Sequence, residues 1–373
     1  MPDYGEKFTE EELRKLTKEV AEVYKQASEE VEAKLKDYFR RFEIKDKIWA
    51  EKVASGEKTA EDYAKWRRGQ LIAGERWKQM SEKLAQEYHN ANVLAREIAL
   101  GHRAAVYAEN FNFATYLTEL RANVDTSFTL YSRDAVAKLI KDHPELLPPP
   151  GSQSIPTKFD KYKAGEDVKL TAEERKAFNA ALAEGKDIRW QEGQIQSVAT
   201  QAILQGESIP EFARRIARDM GEINHASTIR YARTSLKSAR SAGRFDAFHR
   251  AQDMGIEMVK NWRATLDDRT RHNHRLLDGQ TKPLEEPFEV EGIKIMFPGD
   301  PAAPPSMLYN CRCTYDGIPK GWNSHADKRS LQGTVHDSYE DWKNSRYEAS
   351  RDIGYQERME KYMKWRVIHE DYT

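Results

Sequence analysis

Apolar residues recur every three or four positions along the first 145 residues, which is the period of an amphipathic α-helix. Thr9 and Glu12 match the capping-box pattern, in which a hydroxyl and a carboxylate satisfy the free amides of a helix start. Thr59 and Asp62 match it again, ahead of an apolar repeat that continues to residue 98. We therefore expect helices to begin at both places.

Aromatic residues are concentrated near the end of this region, at Tyr107, Phe111, Phe113 and Tyr116. Their spacing places several of them on one side of a helix. We expect them to pack between helices, and the alternative is a surface on which a partner docks.

Prolines interrupt the helical pattern from residue 143, because proline lacks an amide donor and restricts the residue before it. Residues 143–160 are therefore predicted to be a linker. Thr171 with Glu174 then predicts the start of a short helix that ends at Gly185.

Three further helices are predicted downstream. The first covers residues 194–205 and stops at Gly206, and the second opens at Ser208 with Glu211. The third, residues 226–252, carries a stripe of small and apolar residues and a second stripe of cations. The cations are Arg230, Arg233, Lys237, Arg240 and Arg244.

The cationic stripe has two interpretations. Five like charges along one helix face repel one another unless anions lie opposite. The first interpretation is a solvated face that is neutralised by acids elsewhere in the fold. The second is contact with packaged DNA, through sequence-independent phosphate contacts, or with an acidic patch on a partner.

After Gly255 the apolar period changes from helical to alternating, which is typical of strands. Residues 255–263 predict one strand and residues 309–315 another. Between them, a hairpin is predicted about Glu291-Gly292, since apolar residues alternate on both sides of this pair. These are Phe288, Val290, Ile293, Ile295 and Phe297.

Together these patterns predict a predominantly α-helical α+β protein with a small antiparallel sheet. We predict a helical domain in residues 1–145, a linker with a short helix in 146–190, and a mixed module in 191–318. Residues 319–373 are expected to form an aromatic-rich, helical C-terminal tail.

Composition excludes some classes of protein. The 60 Lys and Arg residues nearly cancel the 61 Asp and Glu residues, so net charge favours no particular partner. The mean hydropathy is −0.84, and we expect neither a transmembrane helix nor a signal peptide. Two cysteines do not form a disulfide framework, so a reducing cytoplasm is the simpler expectation for the place of synthesis.

The stretch 262–313 holds a dense set of polar and turn residues at fixed spacings, and it contains both cysteines of the chain. It opens with a Trp, an Asp-x-Arg-Thr-Arg turn, a His and Leu-Asp-Gly, and it closes with Pro-Gly-Asp-Pro and Asn-Cys-Arg-Cys. These positions are Trp262, Asp267, Arg269, Thr270, Arg271, His274, Leu277, Asp278, Gly279, Pro298, Gly299, Asp300, Pro301, Asn310, Cys311, Arg312 and Cys313.

This pattern resembles the bacteriophage Mu F-like head-morphogenesis (minor head) family, over roughly residues 191–318. The resemblance implies a structural role in phage head assembly, with a few copies per particle associated with the portal vertex. It also implies the portal protein as the first partner, coat or scaffolding protein next, and non-specific DNA contact third.

Three residues of the motif are candidate metal ligands. On a strand, residues i and i+2 share a face, so Cys311 and Cys313 could offer two sulfurs to one ion. His274 could then help to complete a zinc site. The alternative is a buried thiol pair with a hydrogen-bonded His that pins two loops together. A disulfide between the cysteines would close a strained, very small ring and is not expected.

No other motif for catalysis is present, so we expect a non-enzymatic protein without a resident cofactor. A phage-borne nuclease or effector enzyme that uses His274 and nearby acids such as Asp278 is the alternative. Arg269, Arg271 and Arg312 are expected to tie carboxylates within the turn. The resemblance further implies a virion protein, located inside the head near the portal vertex and made in the host bacterial cytoplasm.

Overall fold

The computed structural model of the chain describes residues 3–148, 183–322, 338–346 and 355–368. These residues form a largely helical α+β fold, as the sequence predicted. The helices are α1 (Tyr4–Arg40), α2 (Glu43–Ala54), α3 (Ala60–Leu71), α4 (Gly74–Ala122), α5 (Arg133–Asp142), a 3₁₀ turn (Pro144–Leu146), α6 (Ala183–Leu204), α7 (Ile209–Asp253), α8 (His272–Leu277), α9 (Pro305–Leu308), α10 (Tyr339–Asn344) and α11 (Tyr355–Ile368). The strands are β1 (Met258–Arg263), β2 (Thr281–Pro283), β3 (Phe288–Val290), β4 (Ile293–Ile295) and β5 (Thr314–Pro319).

The chain forms two compact units, and neither is one continuous stretch. The first contains residues 1–16, 99–167 and 230–373, and the second contains residues 17–98 and 168–229. Helices α1, α4 and α7 each contribute residues to both units. The domain boundaries inferred from the sequence remain predictions.

The first unit contains the strands. β1 lies between β2 and β5 and pairs antiparallel with both, so the sheet order is β2-β1-β5. β3 and β4 form a separate hairpin. Glu291 and Gly292, at its turn, both have positive φ (48° and 78°), which the tightest hairpin turns require. The predicted hairpin is confirmed, and so is the strand predicted over residues 255–263, which is β1. The strand predicted over residues 309–315 is misplaced, since β5 begins only at Thr314.

Close helix contact organises the core of the first unit. Tyr107 and Phe111 of α4 are fully buried, which confirms the predicted core role of these aromatics. Tyr107 donates a hydrogen bond of 2.6 Å to the Asp246 carboxylate on α7. Beside this bond Gly243 lies against the α4 backbone, so that a side chain there would overlap the carbonyl of Tyr107. The sequence stripe of small residues therefore marks a close approach of two backbones.

The second unit is a helical core. Phe39 of α1 packs against Phe212 of α7, with ring centroids 4.9 Å apart. Trp77 of α4 donates a 2.6 Å hydrogen bond to Gln196 of α6. Tyr88 donates a hydrogen bond of 2.8 Å to the carbonyl of Ala217. The buried Trp77 and Tyr88 side chains thus find their hydrogen-bond partners on other helices.

Of the four predicted capping positions, three lie in the described residues, and two of these are confirmed. Thr59 and Asp62 form a reciprocal capping box, and Ser208 donates to the Glu211 carboxylate at the start of α7. The prediction at Thr9 is wrong. Helix α1 begins at Tyr4, and the hydroxyl of Thr9 donates to the helix's own Gly5 carbonyl at 2.6 Å. Thr9 therefore lies inside the first turns of an already formed helix.

Helix lengths also differ from the prediction. The helices expected from Ser208 and over residues 226–252 are one continuous helix, α7, of 45 residues. The apolar repeat that begins at Thr59 instead divides, since α3 ends at Leu71 and α4 begins at Gly74, where φ is +77°. Local stop signals therefore did not end α7, although they did separate α3 from α4.

The predicted linker starts too early. Residues 144–146 form the 3₁₀ turn, Leu146 and Leu147 are buried, and Arg103 donates a hydrogen bond to the carbonyl of Pro148 at 3.1 Å. Packed apolar side chains override the proline signal here. Residues 149–160 of that linker lie outside the described residues, and so do Thr171 and Glu174. Gly185 lies within α6 and ends no helix.

Helices in the C-terminal tail agree with the prediction at α10 and α11. Tyr339 and Trp342 of α10 are buried, and the Trp342 indole donates a 2.7 Å hydrogen bond to Glu119 of α4. Within the described part of the chain, no helix is both long enough and apolar enough to cross a membrane.

We predict that Gly243→Ala destabilises the protein by about 1–3 kcal/mol, because the added methyl group forces α4 and α7 apart. Gly193→Ala is the matched control. Gly193 lies in the interior of α6 with open space around it, so alanine should stabilise the helix by up to about 1 kcal/mol. Thermal denaturation of both variants gives the comparison. Equal melting temperatures for the two variants would contradict the close approach at Gly243.

Candidate functional site

Strand pairing assembles the motif. β1 pairs with β5 along six residues from Met258↔Pro319 to Arg263↔Thr314, which places Trp262 opposite Tyr315. Trp262 is buried, and its ring makes edge contacts with Phe288 and His274. The two ends of the motif, separated by about fifty residues in the sequence, therefore meet around one apolar core. That core consists of Trp262, Leu277, Phe288, Val290, Ile295, Ala303, Met307, Leu308, Cys311 and Cys313.

His274, Cys311 and Cys313 form a buried cluster within this core. Nδ1 of His274 lies 3.1 Å from Sγ of Cys313 and 3.5 Å from Sγ of Cys311. His274 and Cys313 are each 2% exposed and Cys311 is 8% exposed, and both cysteines are free thiols. The structure thus brings together the three residues that the sequence identified as candidate ligands. Metal binding by them remains a prediction.

The cysteines converge for a different reason from the one predicted. Residues 311–313 precede β5 and belong to no strand, so the alternation of a strand does not orient them. Asn310 instead adopts a positive φ of 55°, and the Cys311 amide donates to the Leu308 carbonyl at the end of α9. This turn directs both sulfurs toward His274.

Lys237 of α7 completes the cluster. Its side chain is buried, and Nζ donates a hydrogen bond of 2.9 Å to Sγ of Cys311. The loop at Gly299 covers it, with the glycine backbone close to Ser238 and to the Lys237 side chain. Lys237 was assigned by sequence to the cationic stripe. In the sequence, the only signal for a buried Lys237 is its helical spacing from the small residues that are buried on the same helix.

The charges of the cluster are coupled. The pKa of Cys311 is held well below its usual value, because Cys313 donates a hydrogen bond to its sulfur and the Lys237 ammonium lies beside it. The same hydrogen bond to Cys311 raises the pKa of Cys313, and burial adds to this effect. Burial lowers the pKa of Lys237. The arrangement therefore favours ionisation of Cys311 over Cys313.

An exposed ion pair ties the Asp-Arg turn to the cysteine segment. The guanidinium of Arg312 donates hydrogen bonds to both carboxylate oxygens of Asp267. These bonds lower the pKa of Asp267 well below its ordinary value. The carbonyl of Arg312 also accepts a 3.0 Å hydrogen bond from Thr265. The expected tie between an arginine and Asp267 is confirmed for Arg312.

The other arginines of this turn make different contacts. Arg271 donates to the Tyr309 carbonyl at 2.5 Å, and Arg275 donates to the Asp267 carbonyl at 2.8 Å. Arg269 is exposed, and its amide donates to the Asp267 carboxylate at 2.9 Å. Asp278 accepts a hydrogen bond from the Ala264 amide at 2.7 Å, so it holds the turn and does not pair with His274 in this arrangement.

Gly279 and Thr270 also stabilise the turn. Gly279 has a φ of +76°, a conformation that a side chain would strain, and its amide donates to the Trp262 carbonyl at 2.9 Å. Thr270 donates its hydroxyl to the Asp267 carboxylate at 3.1 Å, which closes the turn.

The cationic stripe on α7 is not a continuous surface. Arg230 and Arg233 are exposed, whereas Lys237, Arg240 and Arg244 are buried. Arg240 pairs with Glu6 at 3.2 Å, and Arg244 pairs with Asp3 at 2.6 Å. The anions that the sequence required opposite the stripe are therefore supplied from within the fold for Arg240 and Arg244. Only Arg230 and Arg233 of this set face outward.

Lys260 of β1 is a buried cation that sequence reasoning missed. Its ammonium donates 2.9 Å hydrogen bonds to the carbonyls of Leu284 and Met296 and lies over the rings of Phe245 and Phe288. Burial lowers the pKa of Lys260 to about 7. Asp300, Glu285 and Glu286 act in the opposite direction and Lys282 in the same direction. The residue therefore joins the hairpin loops to the sheet.

The fold and the site define a mostly helical α+β protein in which motif residues hold two distant segments around a buried thiol–imidazole cluster. Residues 193–316 match the family described as phage Mu protein F like protein. The chain is therefore similar to this Mu F-like family over about a third of its length.

Two known proteins match the chain over different lengths. The minor head protein GP7 of Bacillus phage SPP1 is 25% identical over 250 residues, which cover 64% of this chain and 69% of that protein. An NAD(+)–arginine ADP-ribosyltransferase, EFV, of Enterococcus faecalis is 30% identical over 148 residues. Those residues are 38% of this chain and span only 29% of the transferase. No solved structure matches the chain significantly.

We predict that Lys260→Met flattens the pH dependence of stability above neutrality. Between pH about 7 and 10.5 the unfolded chain carries a proton at this lysine that the folded protein lacks, so the free energy of unfolding rises with pH. Urea denaturation at pH 7 and pH 9 measures the slope. Lys294→Met, at an exposed position of the hairpin, is the control and should keep the wild-type slope. An unchanged slope in Lys260→Met would refute the assignment.

Proposed function

We propose that the protein docks at the portal vertex inside the phage head and acts there as a structural component in head morphogenesis and DNA packaging or ejection. The observation that carries this proposal is an exposed surface on the stretch 262–313 that carries the motif, here called the motif face. It consists of Leu266, Arg269, Arg271, Arg275, Leu276 and Tyr309.

Internal contacts hold the motif face in place. Arg271 contacts the backbone of Tyr309, and Arg275 contacts the backbone of the residue that follows Leu266. Leu266 is 66% exposed, Leu276 49% and Tyr309 40%. Arginine and tyrosine are enriched in the centres of protein interfaces, and exposed leucines next to them add apolar area. Positioned in advance, these side chains lose less freedom on binding.

Charge selects the kind of partner. Within the loop, Asp267 is engaged by Arg312, and the donors of Arg271 and Arg275 go to neutral carbonyls. The cations of the motif face therefore exceed its free acids, with Asp268 as the exposed acid beside them. An acidic surface complements this charge. We assign that surface to the portal protein, with coat or scaffolding protein as the next partner.

The alternative of an enzyme that uses His274 has less support. Cleavage of nucleic acid needs a general base or metal that the substrate can reach. His274 is 2% exposed and faces two thiols, and its neighbour Asp278 is engaged by a backbone amide. The activity in the name of the transferase relative concerns a protein of which this chain spans 29%, and we propose no such activity here.

Arg271→Glu combined with Leu276→Ser should reduce capture of coexpressed portal protein roughly tenfold or more, because an attractive charge becomes repulsive and an apolar contact is lost. Arg40→Glu is the control, since Arg40 is also exposed but lies outside the motif stretch. Capture is measured by affinity pull-down, and unchanged circular dichroism establishes that the variants fold. Wild-type protein that fails to capture portal protein would remove the proposal.

DNA is the third proposed partner, through Arg230 and Arg233. If these exposed arginines contact phosphates, Arg230→Glu with Arg233→Glu should abolish a gel shift that weakens as salt rises. A wild-type protein without any shift at low salt would exclude this partner. In the same preparations, DNA with divalent ions and NAD⁺ should both remain intact. Turnover of either that disappears in His274→Ala would establish the enzymatic alternative.

A further inference from the structure

The buried cluster of the motif has the composition and geometry of a metal centre. Among the described residues, His274, Cys311 and Cys313 are the group of His, Cys, Asp or Glu side chains whose ligand atoms lie within 4.8 Å of one another. We propose that these three side chains bind one Zn²⁺ ion, which fixes the turn at His274 to the Cys311–Cys313 segment. This inference goes beyond the proposed docking function and does not depend on it.

The distances fit a single ion between the three donors. Zinc lies about 2.3 Å from sulfur and about 2.0 Å from imidazole nitrogen, so tetrahedral angles place the two ligand atoms roughly 3.6 Å apart. The observed separations from Nδ1 of His274 are 3.1 Å and 3.5 Å. Small shifts of the side chains are enough to admit the ion.

The chemistry of the donors also favours zinc over harder cations. Two sulfurs and an imidazole are soft or borderline ligands, whereas calcium and magnesium require oxygen. Two thiolates neutralise the charge of Zn²⁺, which lowers the free-energy cost of burying the centre in an apolar core. The fourth corner of a tetrahedral ion is left for a donor other than these three side chains.

The surroundings fit a coordinated sulfur. Lys237 donates a hydrogen bond of 2.9 Å to Sγ of Cys311, and such N–H donors stabilise metal-bound thiolates. On the other side, Nε2 of His274 is buried without a hydrogen-bond partner among the described residues. Because no described group bonds to Nε2, the orientation of the ring depends on what Nδ1 contacts. A metal–nitrogen bond at Nδ1 supplies that interaction.

A zinc ion at this position cross-links two segments that are distant in the sequence. Cys311 and Cys313 are one residue apart, so a disulfide between them would join nothing that is distant in the chain. An ion held by both sulfurs and by His274 joins segments that are 37 residues apart. Burial of all three ligands favours a structural ion, since catalysis needs a position that substrate can reach.

Full-length protein purified without chelator should contain about one zinc per chain by elemental analysis. His274→Gln and Cys313→Ser should lose it. His272→Gln is the matched control, because His272 is an exposed neighbour on the same short helix and should retain the zinc. Zinc-free but folded wild-type protein that takes up none when zinc is added overturns the proposal, and so does stoichiometric copper in place of zinc.

A second measurement covers the case in which the variants fail to fold. Wild-type protein is stripped with a chelator and treated with a thiol reagent in the presence and absence of added Zn²⁺. Zinc should slow modification of both cysteines at least about tenfold, since coordinated thiolates are shielded from the reagent. With Co²⁺ as the probe, sulfur-to-metal charge-transfer absorption should appear. Equal modification rates with and without Zn²⁺ contradict the proposal.

Discussion

Antiparallel pairing of β1 with β5 is the interaction on which the motif depends. Six residue pairs set the register, and that register places Trp262 beside the segment that carries both cysteines. A slip by one residue would turn every side chain of the strand to the opposite face and dissolve the cluster at His274. The ion pair between Arg312 and Asp267 stabilises the exposed end of this pairing. Lys260 adds a hydrogen bond from β1 to the carbonyl of Leu284. Together they make a turn-rich segment into a defined scaffold.

Much of the fold could be predicted because local signals and packing agree. The hairpin at Glu291-Gly292, the capping box at Thr59 and the aromatic core of α4 each combine a turn or period signal with burial. Predictions failed where packing decided alone. Nothing local marks Thr9 as interior to a helix, and no single position shows that α7 continues through residue 226. The order of residues along the motif predicted that its two ends meet, but the turn at Asn310 that accomplishes it has no strand pattern.

The sequence predicted the residues of the site better than it predicted the groups that surround them. Sequence spacing identified His274, Cys311 and Cys313, yet it left Lys237, Arg240 and Arg244 either on a solvated face that is neutralised within the fold or on a binding surface. A stripe of cations on a long helix has the same pattern whether water or buried carboxylates lie opposite. Asp3 and Glu6, which pair with Arg244 and Arg240, are more than two hundred residues away in the sequence. Such distant neutralisation requires tertiary structure, as does the buried position of Lys260.

The long separation between β1 and β5 also constrains how the protein is made. Translation exposes β1 well before the residues through Pro319 that pair with it, so its central position in the sheet stays open on one side in the meantime. The intervening hairpin is local and can close early, whereas closure over about fifty residues carries an entropic penalty and is slow. The nascent chain therefore passes through an interval in which an apolar strand edge and two reduced thiols are accessible to chaperones and to neighbouring chains.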